Sequence, residues 1–237
     1  MAGERMIGCL LIHGFTGAPY EVEPLAAFLK ERTDWEIRVP TLPGHGAPGS
    51  LKGVQYQEWI DYAEAELTQL AVTCNEVYVI GFSMGGMIAS FLAAKYPVDK
   101  LILLSAAAFY VNPKQLAVDM KEMIKDSLHG KLRDNELFLR YKRKIKETPL
   151  AATFQFRRLV SFIKPLLHQV NVPTFIAQGE CDGIVPPKSA EYLFHTISTK
   201  QKKLAFFKHS KHHICYCEER DLLFSQVLDF LLEKRTV

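Results

Sequence analysis

Short apolar segments and longer amphipathic segments alternate along most of the chain. The apolar runs predict buried strands, and apolar residues spaced three and four apart predict helices between them. The predicted strands are Ile7–Ile12, Glu36–Val39, Glu76–Ile80, Lys100–Leu104, Pro173–Gln178 and Lys203–Phe207. The predicted helices are Pro19–Lys30, Tyr56–Leu70, Met84–Lys95, Pro187–Ile197 and Glu219–Leu232. This alternation predicts an α/β fold, a mostly parallel sheet with helices on both faces.

One segment in the middle of the chain breaks the alternation. It has no strong strand pattern, and helical spacing recurs in Gln115–Leu128 and Asn135–Lys146. We therefore predict a core formed by residues 1–105 and 166–237, with a helical insertion at residues 106–165 placed over the sheet. The insertion holds 13 basic and 6 acidic side chains, which we interpret as a solvated helix face.

Composition narrows the function classes. The chain has 237 residues, 48% of them hydrophobic and 23% charged, which is typical of a globular protein and excludes a disordered one. A net charge of +3 does not indicate a nucleic-acid partner. No apolar run approaches the roughly 18 residues that a membrane span needs, so we expect no stable membrane insertion.

The cysteines bear on the cellular compartment. They are odd in number and follow no disulfide-framework spacing: Cys9, Cys74, Cys181, Cys215 and Cys217. This pattern favours a reducing compartment, so we predict a cytoplasmic location.

A candidate nucleophile lies in the middle of the sequence. The segment Gly81–Gly85 matches the pattern Gly-x-Ser-x-Gly, with Ser83 at its centre. A predicted strand precedes it and a predicted helix with small residues follows, which is the order that a strand–turn–helix elbow requires. The pattern therefore predicts an exposed, strained Ser83 hydroxyl at a helix N-terminus.

The loop after the first strand offers a second chemical feature. His13–Gly17 has the sequence His-Gly-Phe-Thr-Gly, which is either a glycine-rich turn or part of an oxyanion hole. In the second case the backbone N–H groups of Phe15 and Met84 would bind a tetrahedral oxyanion. Each such donor typically contributes about 3 kcal/mol to the transition state.

A serine nucleophile needs a base and an acid that orients the base. Asp182 follows a late strand in a tight loop and is the predicted acid, with Glu180 as the alternative; Asp182 as a mere turn residue is also open. After the next strand come His209, His212 and His213, and composition alone does not choose between the last two.

The same histidines raise the question of a metal. His212 and His213 stand close to Cys215 and Cys217, and these four are zinc-ligand residue types. Their spacing is cramped for tetrahedral ligation and no second cluster stands at zinc-finger spacing, so we predict no metal.

These residues together resemble the α/β-hydrolase superfamily, and within it the small bacterial carboxylesterases related to monoacylglycerol lipases. The chain order Ser83, Asp182, histidine is that of the superfamily's triad. The resemblance covers almost the whole chain and is carried by His13–Gly17, Pro43–Gly46, Gly81–Gly86, Asp182–Pro186 and Ser210–Ile214.

The resemblance implies a role for several residues. It implies that His212 is the base, because the family's histidine lies two residues after a serine and two before an isoleucine or leucine. Lys211 departs from the glycine usual before that histidine. The resemblance also implies that His45 is a structural loop residue and that residues 106–165 are the cap that sets specificity.

The implied activity is the two-step hydrolysis of a small-molecule ester without a cofactor. Ser83, His212 and Asp182 would act through an acyl-enzyme, on short- to medium-chain acyl esters or monoacylglycerols. A thioesterase or a carbon–carbon-bond hydrolase with the same triad is the alternative. A non-enzymatic binding module is disfavoured because the chain retains all three triad residue types.

Overall fold

The computed structural model describes residues 6–46, 51–110 and 150–233. Its sheet is parallel at every pairing and has the strand order β2-β1-β3-β4-β5-β6. The strands are β1 (Ile7–Ile12), β2 (Glu36–Arg38), β3 (Glu76–Phe82), β4 (Lys100–Leu104), β5 (Thr174–Gly179) and β6 (Lys202–Phe207). The predicted parallel sheet is confirmed, and each predicted strand lies within two residues of an observed one.

Six α-helices accompany these strands in the described ranges. They are α1 (Glu23–Lys30), α2 (Tyr56–Thr73), α3 (Met84–Lys95), α4 (Leu150–Ile163), α5 (Lys188–Thr196) and α6 (Arg220–Leu232). The prediction of one helix over Pro19–Lys30 was wrong in its first turn, which is a separate 3₁₀ turn at Pro19–Glu21. Pro24 explains the break, because its ring nitrogen donates no hydrogen bond and suits the first turn of a new helix.

Apolar residues fill both faces of the sheet. Successive side chains of a strand point to opposite faces, so Leu10 and Ile12 join one core while Cys9 and Leu11 join the other. The first core also holds buried residues of α2, α3, α4 and α5, and the second those of α1 and α6. The prediction of helices on both faces is therefore confirmed.

The predicted insertion is described only in part. Both stretches predicted to be helical, Gln115–Leu128 and Asn135–Lys146, lie outside the described residues. Its last part forms α4, whose buried face packs into the same core as α2 and α3. The boundaries at residues 106–165 stay a prediction.

Two further expectations concern the cell. Across the described ranges, no helix has both the length and the apolar character needed to cross a bilayer. All five cysteines lie in those ranges as free thiols. The predicted compartment stays a prediction.

Parallel strands all end at the same edge of the sheet. His13 follows β1, Ser83 follows β3, Asp182 comes shortly after β5 and His212 follows β6. The fold thus gathers the candidate residues at one edge.

Candidate active site

Ser83 stands at the turn between β3 and α3. Its backbone has φ +54° and ψ −115°, a conformation that L-residues rarely adopt. The turn is tight, because a Cβ on Gly81 would overlap the Gly85 carbonyl and one on Gly85 would overlap the Ile12 carbonyl. The glycines of the motif are therefore needed for close packing. Ser83 lies at the N-terminus of α3 as predicted, but the prediction of an exposed hydroxyl was wrong, because the residue is only 7% exposed and faces a cavity.

A chain of hydrogen bonds joins the three predicted triad residues. The Ser83 hydroxyl lies 3.0 Å from His212 Nε2, and His212 Nδ1 lies 2.7 Å from Asp182 Oδ2. A carboxylate only accepts, so Nδ1 carries the proton and Nε2 offers its lone pair to the serine hydroxyl. All three residues are at most 7% exposed. Residues 129 positions apart in sequence thus meet in the geometry of a nucleophile and its base.

Asp182 is fixed by more than its histidine partner. Its Oδ1 accepts the N–H groups of Ile184 at 2.8 Å and Val185 at 2.9 Å. Its Oδ2 also accepts from Gln178 Nε2 at 3.1 Å. These donors compensate a buried charge that would otherwise be costly. Glu180, the alternative acid, is exposed to solvent.

Gln178 was missed by sequence reasoning. It lies at the end of β5, where its buried amide also donates to the carbonyls of Gly179 and Val185. A polar residue that ends an otherwise apolar strand was the available signal.

The structure separates the three candidate histidines. His209 is exposed, and His213 directs Nδ1 toward Glu21 Oε1 at 3.8 Å. Of the three, only His212 bonds to Ser83 and Asp182 among the described residues.

The Cys217 thiol accepts the Lys211 N–H at 3.1 Å, so it belongs to the packing of the histidine loop. Within the described part of the chain, no group of three or more histidine, cysteine, aspartate or glutamate side chains is arranged to hold a metal ion.

The peptide between Gly14 and Phe15 is held from its carbonyl side. The Gly14 carbonyl accepts from His13 Nδ1 at 2.9 Å and from the Gly17 N–H at 3.3 Å. His13 Nε2 accepts the Leu42 N–H at 3.0 Å, which places the ring proton on Nδ1. In a planar trans peptide the Phe15 N–H points opposite to that carbonyl. His13 therefore orients a predicted oxyanion donor, a role that sequence reasoning missed.

The ionisation of His13 suits this role. The ring is completely buried, and burial lowers its pKa to about 4. The ring therefore stays neutral near pH 7 and keeps one nitrogen as donor and the other as acceptor.

Two backbone donors remain available near Ser83. The N–H groups of Phe15 and Met84 make no hydrogen bond to any acceptor in the described ranges. Met84 is the first residue of α3, where N–H groups have no intrahelical partner. Two such donors beside a nucleophile can bind an oxyanion.

A cavity of about 500 Å³ opens onto Ser83 and His212. Aromatic rings form one wall, where Phe15 stacks on Phe156 at 5.2 Å between centroids and Tyr110 lies 4.9 Å from Phe156. Thr16, Glu21, and His213 are polar lining residues. The site therefore offers an apolar surface and polar groups to one bound molecule.

His45 also lines the cavity, but its contacts are structural. Its Nδ1 donates to the Pro43 carbonyl at 3.0 Å, and Trp59 Nε1 donates to the same oxygen at 3.0 Å. Burial lowers the His45 pKa. These contacts agree with the implied role of a loop histidine.

Strained backbone is concentrated around this site. Three non-glycine residues have positive φ in the described ranges: Thr16 at +62°, Ser83 at +54° and Ser105 at +45°. They follow β1, β3 and β4 respectively. Such residues often mark functional sites, because the surrounding fold must hold them in place.

The chain aligns with two bacterial enzymes over most of its length and most of theirs. The chain is 28% identical over 233 residues to a thermostable monoacylglycerol lipase of Bacillus sp. (strain H-257), an alignment that covers 94% of this chain and 90% of the relative. It is 23% identical to a carboxylesterase of Bacillus subtilis (strain 168), with 94% and 91% covered. These relatives confirm the predicted enzyme class, an esterase of the serine hydrolase type.

Solved structures and a family profile support the same assignment. A structure of the metagenome-derived lipolytic enzymes LipS and LipT superposes with a TM-score of 0.76 at 21% identity, covering 95% of this chain and 93% of that chain. The likeness confirms the predicted fold. The profile described as serine aminopeptidase, S33, matches residues 7–220. The chain therefore belongs to the serine aminopeptidase S33 family of α/β-hydrolases.

Proposed function

We propose that this protein hydrolyses small-molecule carboxylic esters, with Ser83 as nucleophile, His212 as base and Asp182 as the acid that orients it. The observation that carries the proposal is the unbroken hydrogen-bond chain from the Ser83 hydroxyl to Asp182. The Ser83 end of this chain lies at a cavity large enough for a small ligand.

The geometry supports a two-step reaction. His212 Nε2 takes the Ser83 proton while Oγ attacks the ester carbonyl carbon, and the carbonyl oxygen becomes an oxyanion. The N–H groups of Phe15 and Met84 stabilise this oxyanion. The bond between the carbonyl carbon and the alcohol oxygen then breaks as His212 gives its proton to the leaving alcohol, and an acyl-enzyme remains. Water that His212 activates in the same way adds to the acyl carbon, the bond to Ser83 Oγ breaks, and the carboxylic acid leaves.

The cavity supports an acyl group of short to medium length. The aromatic wall of Phe15, Tyr110 and Phe156 is suited to an alkyl chain, because burying each CH₂ contributes about 0.8 kcal/mol. Tyr110, Thr153 and Phe156 belong to the predicted cap, so we assign chain-length selection to residues 106–165. The relative that is 28% identical is named a monoacylglycerol lipase, which makes monoacylglycerols candidate substrates.

A fluorophosphonate probe tests the nucleophile. Ser83→Ala should abolish labelling and lower kcat by several orders of magnitude, because no other group replaces the nucleophile. Ser105→Ala is a matched control, because Ser105 is also buried and has a similar positive φ. Labelling of the Ser83→Ala protein, or its loss in Ser105→Ala, would contradict the assignment.

A substrate panel tests the bond that is cleaved. Nitrophenyl esters of increasing acyl length and a monoacylglycerol should be turned over with higher kcat/KM than matched thioesters. The kcat/KM of these esters should also exceed that of diketone substrates, in which a carbon–carbon bond would be cleaved. A preference for a thioester or a diketone would replace the ester proposal while leaving the triad in place.

A further inference from the structure

A buried carboxylate lies beneath the loop that holds Phe15, and the proposed reaction does not use it. Glu21 ends the 3₁₀ turn Pro19–Glu21 and is only 5% exposed. Its Oε2 accepts the Gly14 N–H at 2.8 Å. Gly14 is thus held on both sides, because Glu21 accepts its N–H and His13 donates to its carbonyl.

The loop turns around this carboxylate. Gly17 passes so close to Glu21 that any Cβ at position 17 would overlap the carboxylate. Thr16 adopts φ +62°, which a β-branched residue rarely does. The surrounding contacts must hold this strained residue, and the Glu21 carboxylate is one of the groups around which the loop closes.

The other carboxylate oxygen faces the histidine loop. Glu21 Oε1 lies 3.8 Å from His213 Nδ1, and His213 is the neighbour of His212. The rings of His212 and His213 both pack on Phe82, at 4.9 and 5.5 Å between centroids. Glu21 therefore stands between the loop that carries the oxyanion donor and the loop that carries the base.

We propose that Glu21 is a positioning residue for the oxyanion hole. Its Oε2 holds the Gly14 N–H, and through the Gly14–Phe15 peptide it keeps the Phe15 N–H directed at the oxyanion. The proposal rests on the proposed ester hydrolysis. An oxyanion exists only after the serine attacks, so this contact serves the transition state more than substrate binding.

Steady-state kinetics of Glu21 variants test the proposal. Glu21→Ala removes the acceptor, and its kcat should fall about 10- to 100-fold while KM changes less than about threefold. Glu21→Gln keeps an acceptor oxygen in place, so its kcat should stay within about threefold of wild type. Glu23→Ala removes an exposed carboxylate two residues away and should match wild type.

A transition-state analogue separates positioning from stability. A trifluoromethyl ketone forms an oxyanion on the serine, so its Ki should rise in Glu21→Ala by about the factor that kcat/KM falls. If Glu21→Ala does not fold, Glu21→Asp serves instead, because its shorter side chain keeps the charge and withdraws the oxygen from Gly14.

The outcomes distinguish this proposal from the proposed function. An active wild type, with kcat and Ki unchanged in Glu21→Ala, or in Glu21→Asp where Glu21→Ala does not fold, overturns the role of Glu21 alone. Loss of activity in Glu21→Gln as large as in Glu21→Ala also overturns it, because the acceptor would then not be what matters. A wild type that neither hydrolyses esters nor reacts with a fluorophosphonate overturns both.

Discussion

Replacing Asp182 by Asn tests the hydrogen-bond chain most directly, because it changes one atom and reverses one bond. The Asn oxygen can still accept the N–H groups of Ile184 and Val185, so the loop is retained. Its NH₂ group then replaces Oδ2, which accepts from His212 Nδ1 at 2.7 Å. Two donors cannot pair, so His212 must move its proton to Nε2 and can no longer take one from Ser83.

The expected effect of Asp182→Asn follows from that tautomer. The same exchange in a serine protease triad lowers kcat about 10⁴-fold. At about 1.36 kcal/mol for each factor of ten, this corresponds to about 5.4 kcal/mol of lost transition-state stabilisation. The new NH₂ group also meets Gln178 Nε2, which lies 3.1 Å from Oδ2, and an unsatisfied buried donor costs about 1–3 kcal/mol of folding stability.

The assay is hydrolysis of a nitrophenyl ester, with urea unfolding of the same samples. Asp182→Asn should show both the loss of kcat and the smaller loss of stability. Glu180→Gln is the control in the same loop, and because Glu180 is exposed it should keep wild-type kcat and stability. A kcat of Asp182→Asn above one tenth of the wild-type value would refute the role of Asp182 in setting the His212 tautomer. Loss of activity in Glu180→Gln would refute it as well.

Four other expectations can be checked with the same methods. His212→Ala should lose ester hydrolysis about as severely as a variant without the nucleophile, whereas His213→Ala should keep most of its kcat; the reverse order would show that the wrong histidine was assigned. The pKa of His13 is lowered from 6.5 to about 4 in the fold, so unfolding takes up a proton in this window and stability falls as the pH falls. Urea unfolding should therefore show a loss of about 2 kcal/mol between pH 7 and pH 5 that is absent in His13→Gln; an equal loss in both proteins would exclude His13 as its source. Phe156→Ala should change the ratio of kcat/KM between long and short acyl esters by about 1–3 kcal/mol, and a uniform loss on all esters would argue against a role in chain-length selection. Ser83→Gly should unfold at a higher temperature than Ser83→Ala, because glycine adopts φ +54° without strain, and equal melting temperatures in calorimetry would show that the turn stores none.

Short sequence patterns were enough to predict which segments form this site and in which order they come. Short segments were enough to recognise the strand ends and the Ser83 turn, because their residue spacing follows backbone geometry. The same holds for the chain order of Ser83, Asp182 and the histidines. Residues alone left His212 and His213 open, and the family resemblance favoured His212. The structure brings His212 to Ser83, which agrees with that preference.

What sequence reasoning missed depends on contacts between distant segments. The tautomer of His13 is set by the Leu42 backbone 29 positions away. Gln178 and Glu21 look like an ordinary strand end and an ordinary turn until the burial of their side chains is known. Burial and hydrogen-bond partners arise from tertiary packing, which no local pattern of residues specifies.

The order of strands in the sheet has a consequence for how the protein acquires its activity. Ser83 follows β3, near the middle of the sheet, whereas His212 follows β6, which pairs only with β5 among the described strands. Parallel neighbours form through long crossovers, so their contacts are slow to assemble. During synthesis Ser83 leaves the ribosome well before His212. Under the proposed mechanism, the unfinished chain therefore cannot hydrolyse an ester until β6 has docked. Ester turnover would therefore report completion of the sheet, whereas the fluorescence of Trp59 and Trp35 would report packing of the first and the second core.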